Sequence, residues 1–397
     1  MLAVSAAAQV DTGTIAGTVK DSTGAIVQNA EIRVRNAATA LDLSLKTDAS
    51  GFFSAPDLRP GTYDLSASAA GFQKITKTGV TLRVQDRLEV NFELAVGDTA
   101  TAISVESKAQ TLETESSSLG HVVEEQQIKN LPLNGRNYIQ LAYLGAGTSQ
   151  SQRSTERNTF VSNGARPIQN SYLLDGIDNK NKIVGFDSSS AQSIEPILDA
   201  VQEFKVQTST FSAEFGQSAG AVVNVSIKSG TNSLHGSLWE FGRNSFLDAE
   251  PYFQPAGAAP KFIQNQYGAT AGAPIIKNRT FFFFAWQSSR EVNAAPQLAA
   301  VPSLSNRAGI FTQTIYDPAT TAANPNGTGS VRAPFPGNVV PANRIDPVSR
   351  KLLALYPAPN LTGKNNFFSN QEETVNNDQY IGRIDHRFSD KDSLFGR

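Results

Sequence analysis

Cysteine is absent from the 397 residues, which excludes a thiol nucleophile, a disulfide framework and a cysteine zinc centre. Histidine occurs only three times, at His121, His235 and His386, so a histidine metal cluster is not expected, and neither metal nor cofactor is assigned. Charge is scarce as well: charged residues make up 18% of the chain and the formal net charge is -2. A chain with no basic patch lacks the electrostatic footprint of a nucleic-acid or anionic-lipid binder. Nor is there an apolar run of about 18 residues, so a membrane-spanning helix is excluded while a β-barrel stays open.

What is present divides the chain into several parts, as a length above about 200 residues suggests. Residues 1–10 include the run Leu2 to Gln9, whose small-residue ending resembles the tail of a secretory signal; a disordered Ala-rich terminus is the alternative. Residues 11–97 show short alternating runs separated by turns about every ten residues, the pattern of a sandwich of about seven strands. Ile15 and Val19, Ile32 and Val34, Leu43 and Leu45, Tyr63 and Leu65, Leu82 and Val84, and Val90, Phe92 and Leu94 each keep one parity, hence one face of a strand. Gly17-Thr18-Val19-Lys20-Asp21, Thr47 to Phe53 and Pro60-Gly61-Thr62-Tyr63 resemble the carboxypeptidase regulatory-like domain. The resemblance implies a transthyretin-like or Ig-like sandwich in an accessory role, without a His-x-x-Glu zinc pair. Asp48 reads as a turn former rather than a calcium ligand.

Residues 98–118 turn polar and read as a linker. Within it Thr101, Ala102, Ile103, Ser104, Val105, Glu106 and Ser107 alternate small or polar with β-branched residues. Such a segment suits addition to a partner's sheet edge, a last sandwich strand, or plain linker.

Residues 119–230 read as an α+β domain, with a short helix at 124–130, a turn at Asn134-Gly135 and strands at Ser171 to Leu174 and Ala221 to Lys228. Six motifs follow in order: Leu131 to Asn137, Asn163-Gly164-Ala165-Arg166, Tyr172 to Asp178, Val201 to Val206, Ala213-Glu214-Phe215-Gly216 and Lys228 to Asn232. Together they resemble the plug of the Oar-like TonB-dependent outer-membrane receptors. That resemblance makes residues 101–107 the candidate TonB box, with a TonB-type energy-transducing protein as partner. Asp175, Asp178, Glu203 and Glu214 form a set of carboxylates, but no nucleophile or metal set accompanies them, so no catalytic residue is assigned. A plug sits in a polar, water-lined barrel and has to move, which favours charged contacts over an apolar seal. Arg136, Arg166, Glu203 and Glu214 are the candidates for plug–barrel contact or for local turn pairing.

Residues 231–397 carry segments of membrane-strand length at Leu234 to Asn244, Gln266 to Pro274, Thr280 to Arg290 and Asn377 to Phe388. In the last, Tyr380, Gly382, Ile384, His386 and Phe388 share a lipid-type face, while Gln379, Arg383, Asp385 and Arg387 share a wet one; Ile381 breaks the alternation. His386 reads as interfacial rather than a ligand. Phe281-Phe282-Phe283-Phe284-Ala285-Trp286 puts aromatics on both faces, as an aromatic girdle or a core strand would. Asn265 to Gly268, Gly272-Ala273-Pro274-Ile275 and Arg279 to Phe284 resemble the opening barrel strands of the same family, with Ala273 where it usually has glycine. Residues 291–376 read as a long extracellular loop, with a short helix from Asp346-Pro347 to Leu355. Receptors of this kind resemble plugged barrels of about 22 strands, so four or five strands imply an incomplete, C-terminally truncated barrel.

The expected fold is thus mainly β: a transthyretin-like or Ig-like sandwich, an α+β plug and the first strands of a transmembrane β-barrel. The expected function is energised uptake of a solute from outside, at the outer membrane with the sandwich in the periplasm. The alternative is a surface binding or adhesion protein whose sandwich holds a carbohydrate or protein. An enzyme is not expected.

Overall fold

A computed structural model of the chain describes residues 11–97, 102–106, 118–151, 159–181, 191–216, 218–249, 261–294, 296–389 and 392–397. The signal-like residues 1–10 and most of segment 98–118, including Thr101 and Ser107, lie outside the described residues. Two compact units result, one of residues 1–239, 267–288 and 378–397, the other of residues 240–266 and 289–377.

In the first unit, the alternating N-terminal runs become β1 (Gly13–Asp21), β2 (Glu31–Asn36), β3 (Asp42–Lys46), β4 (Phe52–Leu58), β5 (Gly61–Ser68), β6 (Lys74–Leu82), β7 (Arg87–Glu89) and β8 (Phe92–Leu94), followed by β9 (Ala102–Glu106). One sheet runs β4-β1-β7 with β8 also on β1, the other β3-β2-β5-β6-β9. Ile15, Val19, Ile32, Val34, Tyr63, Leu65, Leu82, Phe92 and Leu94 meet in one core between them. That is the face their parity assigns.

The strand expected around Val90 is split in two. Both β7 and β8 run parallel along β1, but between them Asn91 turns its side chain to accept from Thr18 N–H at 2.7 Å. The Val90 carbonyl leans in so far that a Cβ at Gly17 would lie 2.1 Å from it. Only glycine leaves room for that approach.

The next segment forms β10 (Leu119–Glu124), α1 (Glu125–Asn130), β11 (Thr148–Gln150), β12 (Phe160–Ser162), β13 (Ser171–Leu174), β14 (Ile177–Asp178), β15 (Val201–Ser209) and β16 (Val222–Ile227). A mixed sheet of order β10-β15-β16-β13-β14 carries this middle domain. Helix α1 starts where the Gln127 side chain accepts from Glu124 N–H at 3.1 Å, the returning half of a capping box. It buries Ile128 against the sheet. Strand β15 reads Val-Gln-Glu-Phe-Lys-Val-Gln-Thr-Ser and is buried on both faces over most of its length. Its charged face is covered by the sandwich, a tertiary effect that alternation alone does not reveal.

Long strands follow: β17 (His235–Asn244), β18 (Lys261–Ile276) and β19 (Thr280–Ala294). After β20 (Gln297–Ala299), α2 (Leu304–Arg307), β21 (Ala322–Ala323), β22 (Ser330–Val331), α3 (Pro347–Leu355) and β23 (Phe367–Ser369), the chain returns as β24 (Glu372–Arg387) and β25 (Ser393–Gly396). The sheet order is β17-β18-β19-β24-β25, with no closure among the described residues. Several strands are longer than expected, 16 residues in β18 and β24 and 15 in β19. The added ends, such as Glu372 to Asn376, are mostly polar, with Val375 the one large apolar residue of that stretch.

Within the second unit, the segment between β19 and β24 is organised by its own polar contacts. β20 pairs with β23 and β21 with β22. Asn366 and Val301 exchange hydrogen bonds of 2.8 and 2.9 Å. Asp346 caps α3 by accepting from Val348 N–H at 2.7 Å and Ser349 N–H at 3.1 Å, with Pro347 at the first helical position. Val348, Leu352 and Leu355 of α3 are all exposed.

Candidate functional site

Three parts of the first unit deliver charged side chains to one place. The β13–β14 turn is made by Asp175 and Gly176, both at positive φ (48° and 76°), the two-residue hairpin chemistry of Asp-Gly. That turn holds the Asp175 carboxylate over the end of β16, where it accepts from Ile227 N–H at 2.8 Å. Two arginines reach the same carboxylate. Arg383 on β24 lies 3.4 Å from it and also donates to Ile227 O at 2.8 Å; Arg397, beyond β25, lies 2.5 Å away. Arg383 is chelated in turn by Asp385 two residues on, at 3.1 to 3.2 Å. Asp385 is also paired with Arg59 of the sandwich. The Phe395 ring lies under both guanidinium groups, 4.5 Å from Arg383 and 5.2 Å from Arg59.

The side chains of Asp175 and Arg383 are 0% and 2% exposed, so their charges are stable only because each is paired and hydrogen-bonded. Burial pushes the Asp175 carboxyl above its ordinary range, opposed by Arg383, the Ile227 amide and Arg397. The parity that puts Arg383 and Asp385 on the wet face of β24 is legible in the sequence. Their partners Asp175, Arg59 and Arg397 are not, because residues 175 to 397 are joined only by the fold.

Beside this network lies an apolar wedge. Phe283 and Ala285 of β19 enter the middle-domain core with Tyr138, Phe204 and Val225, and Trp239 and Ile381 pack against it. The aromatic run is thereby resolved: Phe281 and Phe283 are buried inward, while Phe284 is exposed outward. Ile381, the break in the alternation of β24, is an inward contact. Tyr380, Ile384 and Phe388 are exposed on the opposite face. His386 shares its Nδ1 with Thr280 Oγ1 at 2.9 Å and lies edge-on to Phe388.

A third contact joins the sandwich to the middle domain. The turn after β6 carries Val84, whose N–H donates to Glu203. Asp86 pairs with Lys205 at 3.0 Å and Arg83 with Glu124 at 2.5 Å. Burial, reinforced by Asp86 and Glu124, pushes the Glu203 carboxyl up to about 7 despite the Val84 hydrogen bond.

The four proposed contact residues therefore separate. Arg136 meets the long strands, its guanidinium 6.0 Å from the Trp239 ring while it is ion-paired with Asp199. Glu203 faces the sandwich instead, because β15 turns its charged face that way. Arg166 donates its backbone N–H to the Gln169 side chain at 2.8 Å, and Glu214 is exposed after β15. Among the described residues, no hydrogen bond or ion pair links either of them to the long strands. Ala102 to Glu106 form β9, parallel to Lys74 to Thr78 of β6. Among the described residues, no cluster of three metal-ligating side chains occurs.

Comparison with known proteins adds to this geometry. Residues 14–95 match the Carboxypeptidase regulatory-like domain and residues 226–397 the Outer membrane beta barrel domain. The chain is 27% identical over 316 residues to the TonB-dependent transporter Oar of Myxococcus xanthus, a match covering 72% of this chain and 28% of that protein. The chain thus spans well under half the length of that relative. Among solved structures, it is similar to the siderophore receptor PirA from Acinetobacter baumannii (17% identity, 71% of this chain and 31% of that one, TM-score 0.39). It is also similar to the outer membrane transporter YddB from Escherichia coli (17% identity, 46% and 27%, TM-score 0.36).

Proposed function

We propose that this chain belongs to the Oar-like TonB-dependent receptors of the outer membrane and that its middle domain is a movable plug serving energised uptake of a solute. The observation that carries this reading is the way the plug is held. Its turn at Asp175 is pinned to β24 and the end of β25 by charge pairs, beside the smaller apolar wedge of Phe283 and Ala285. Buried ion pairs add little net stability relative to an apolar contact, yet fix geometry closely. Such a contact orients the domain without welding it to the wall, and water entering a pore can solvate the separated charges.

The work of separating them falls to a TonB-type protein acting on residues 101–107, with the sandwich in the periplasm. Outer-membrane lipid meets the face bearing Tyr380, Ile384 and Phe388, and the solute arrives from outside. With Asp175 and Asp385 both engaged in ion pairs, the site supports holding and release. The test is in-cell photo-crosslinking from position 104. A photoreactive residue there gives an adduct with a TonB-type protein that depends on the energised inner membrane; absence of any such adduct overturns the reading.

A further inference from the structure

We propose that the sandwich is a parking place for the coupling segment: β9 is held on the edge of β6, and a TonB-type partner engages it only after it leaves that edge. This rests on the reading of residues 101–107 as the segment a TonB-type protein takes up. Ala102 to Glu106 pair in unbroken parallel register with Lys74 to Thr78, and β9 is the outermost strand of the β3-β2-β5-β6-β9 sheet. Its main-chain donors and acceptors on one side are therefore already spent on β6. Strand addition draws its affinity from those same main-chain groups. A partner that takes the edge of β9 now turned to β6 competes with that strand, and the segment binds such a partner only in the fraction of time it is free.

The parking place is fixed beside the domain to be moved. Val84, Asp86 and Arg83 tie the sandwich to Glu203, Lys205 and Glu124 of the plug. While β9 is parked, a pull on it loads the sandwich sheet as well as the plug. Once β9 is released, a pull on it is carried to β10 without loading the sandwich sheet. Regulation then lies in the strength of the β6–β9 ladder, and the sandwich sets the threshold at which the partner couples.

A chain without cysteine gives a clean test. Thr76 and Ser104 are Cα partners across the ladder, so Thr76→Cys combined with Ser104→Cys places two thiols at a spacing a disulfide can span. In the whole protein in detergent, the pair should oxidise readily. The oxidised protein should lose binding to a TonB-type C-terminal domain and regain it fully with a reductant. A synthetic peptide of residues 98–118 should bind that domain roughly tenfold more tightly than the unmodified protein does. Failure of the thiols to pair, or equal binding by the oxidised and reduced forms, overturns the parked strand while leaving the coupling segment intact. A peptide that does not bind at all overturns the assignment of residues 101–107 and the parking proposal with it.

Discussion

At the scale of single residues, charge pairing decides where the plug sits. Asp175→Asn leaves the Arg383 guanidinium buried with one formal partner fewer, and loss of one member of a buried pair costs about 3 to 5 kcal/mol. The same change weakens the acceptor for Ile227 N–H, so hydrogen exchange at the end of β16 should rise while β2 and β5 of the sandwich are unaffected. Unchanged exchange at Ile227 would show that the pair does not hold the turn. Glu203 supplies a pH dependence of definite sign. Its carboxyl is raised to about 7 where the ordinary value is 4.5, so the docked state binds the proton more tightly than a solvated one. The contribution to docking is full below about pH 4.5, declines as pH rises through about 7 and is spent above it, roughly 3 kcal/mol over the window. Protection of the amides at 83–86, taken relative to intrinsic exchange at each pH, should therefore be higher at pH 5.5 than at pH 8. Glu203→Gln should flatten that difference; a slope that survives the substitution assigns it to another group.

At the scale of elements, inward and outward faces of one strand should behave differently. Phe283 is 2% exposed in the plug core and Phe284 is 43% exposed on the other side of β19. Phe283→Ala should cost about 3 to 5 kcal/mol through the cavity it leaves, seen as faster proteolysis of the plug. Phe284→Ala should leave plug proteolysis as it is. Sequence periodicity could not choose between these two faces, because four phenylalanines in a row have no period. The choice is made by the plug core, which is distant in sequence. Elsewhere the division between legible and illegible follows the same line. Sandwich parity fixed Ile15, Val34 and Leu65 in the core, since a half-buried strand writes its environment in alternation. Strand β15 wrote the opposite, a charged face that the sandwich buries. Arg59 gave no signal, being a turn residue whose partner Asp385 lies on β24. The Arg383 and Asp385 parity was readable, their binding partners were not. Strand β9 was readable as a last sandwich strand, one of three readings of that segment, but its choice of β6 was not, for an edge accepts many sequences.

At the scale of the whole molecule, the exposed apolar face of the long-stranded sheet defines the solvent it is built for. Leu234, Leu238, Tyr380, Ile384, Phe388 and Leu394 are each more than half exposed, an arrangement that is unfavourable in water and ordinary in lipid. Position 384 lies five residues before the turn at Ser389, or about 16 Å along the strand at ~3.3 Å per residue. A tilt near 40° brings that to roughly 12 Å above the rim, close to the middle of an apolar band about 25 Å tall. Ile384→Arg should therefore cost on the order of 2 to 4 kcal/mol of membrane stability, whereas Phe388→Arg, almost at the rim, should cost about 0 to 1. Neither position touches the plug, so plug proteolysis in whatever protein does assemble should match the parent. Heat-modifiable migration of the outer-membrane fraction reads the difference, and equal yields of the two variants would place position 384 outside the bilayer.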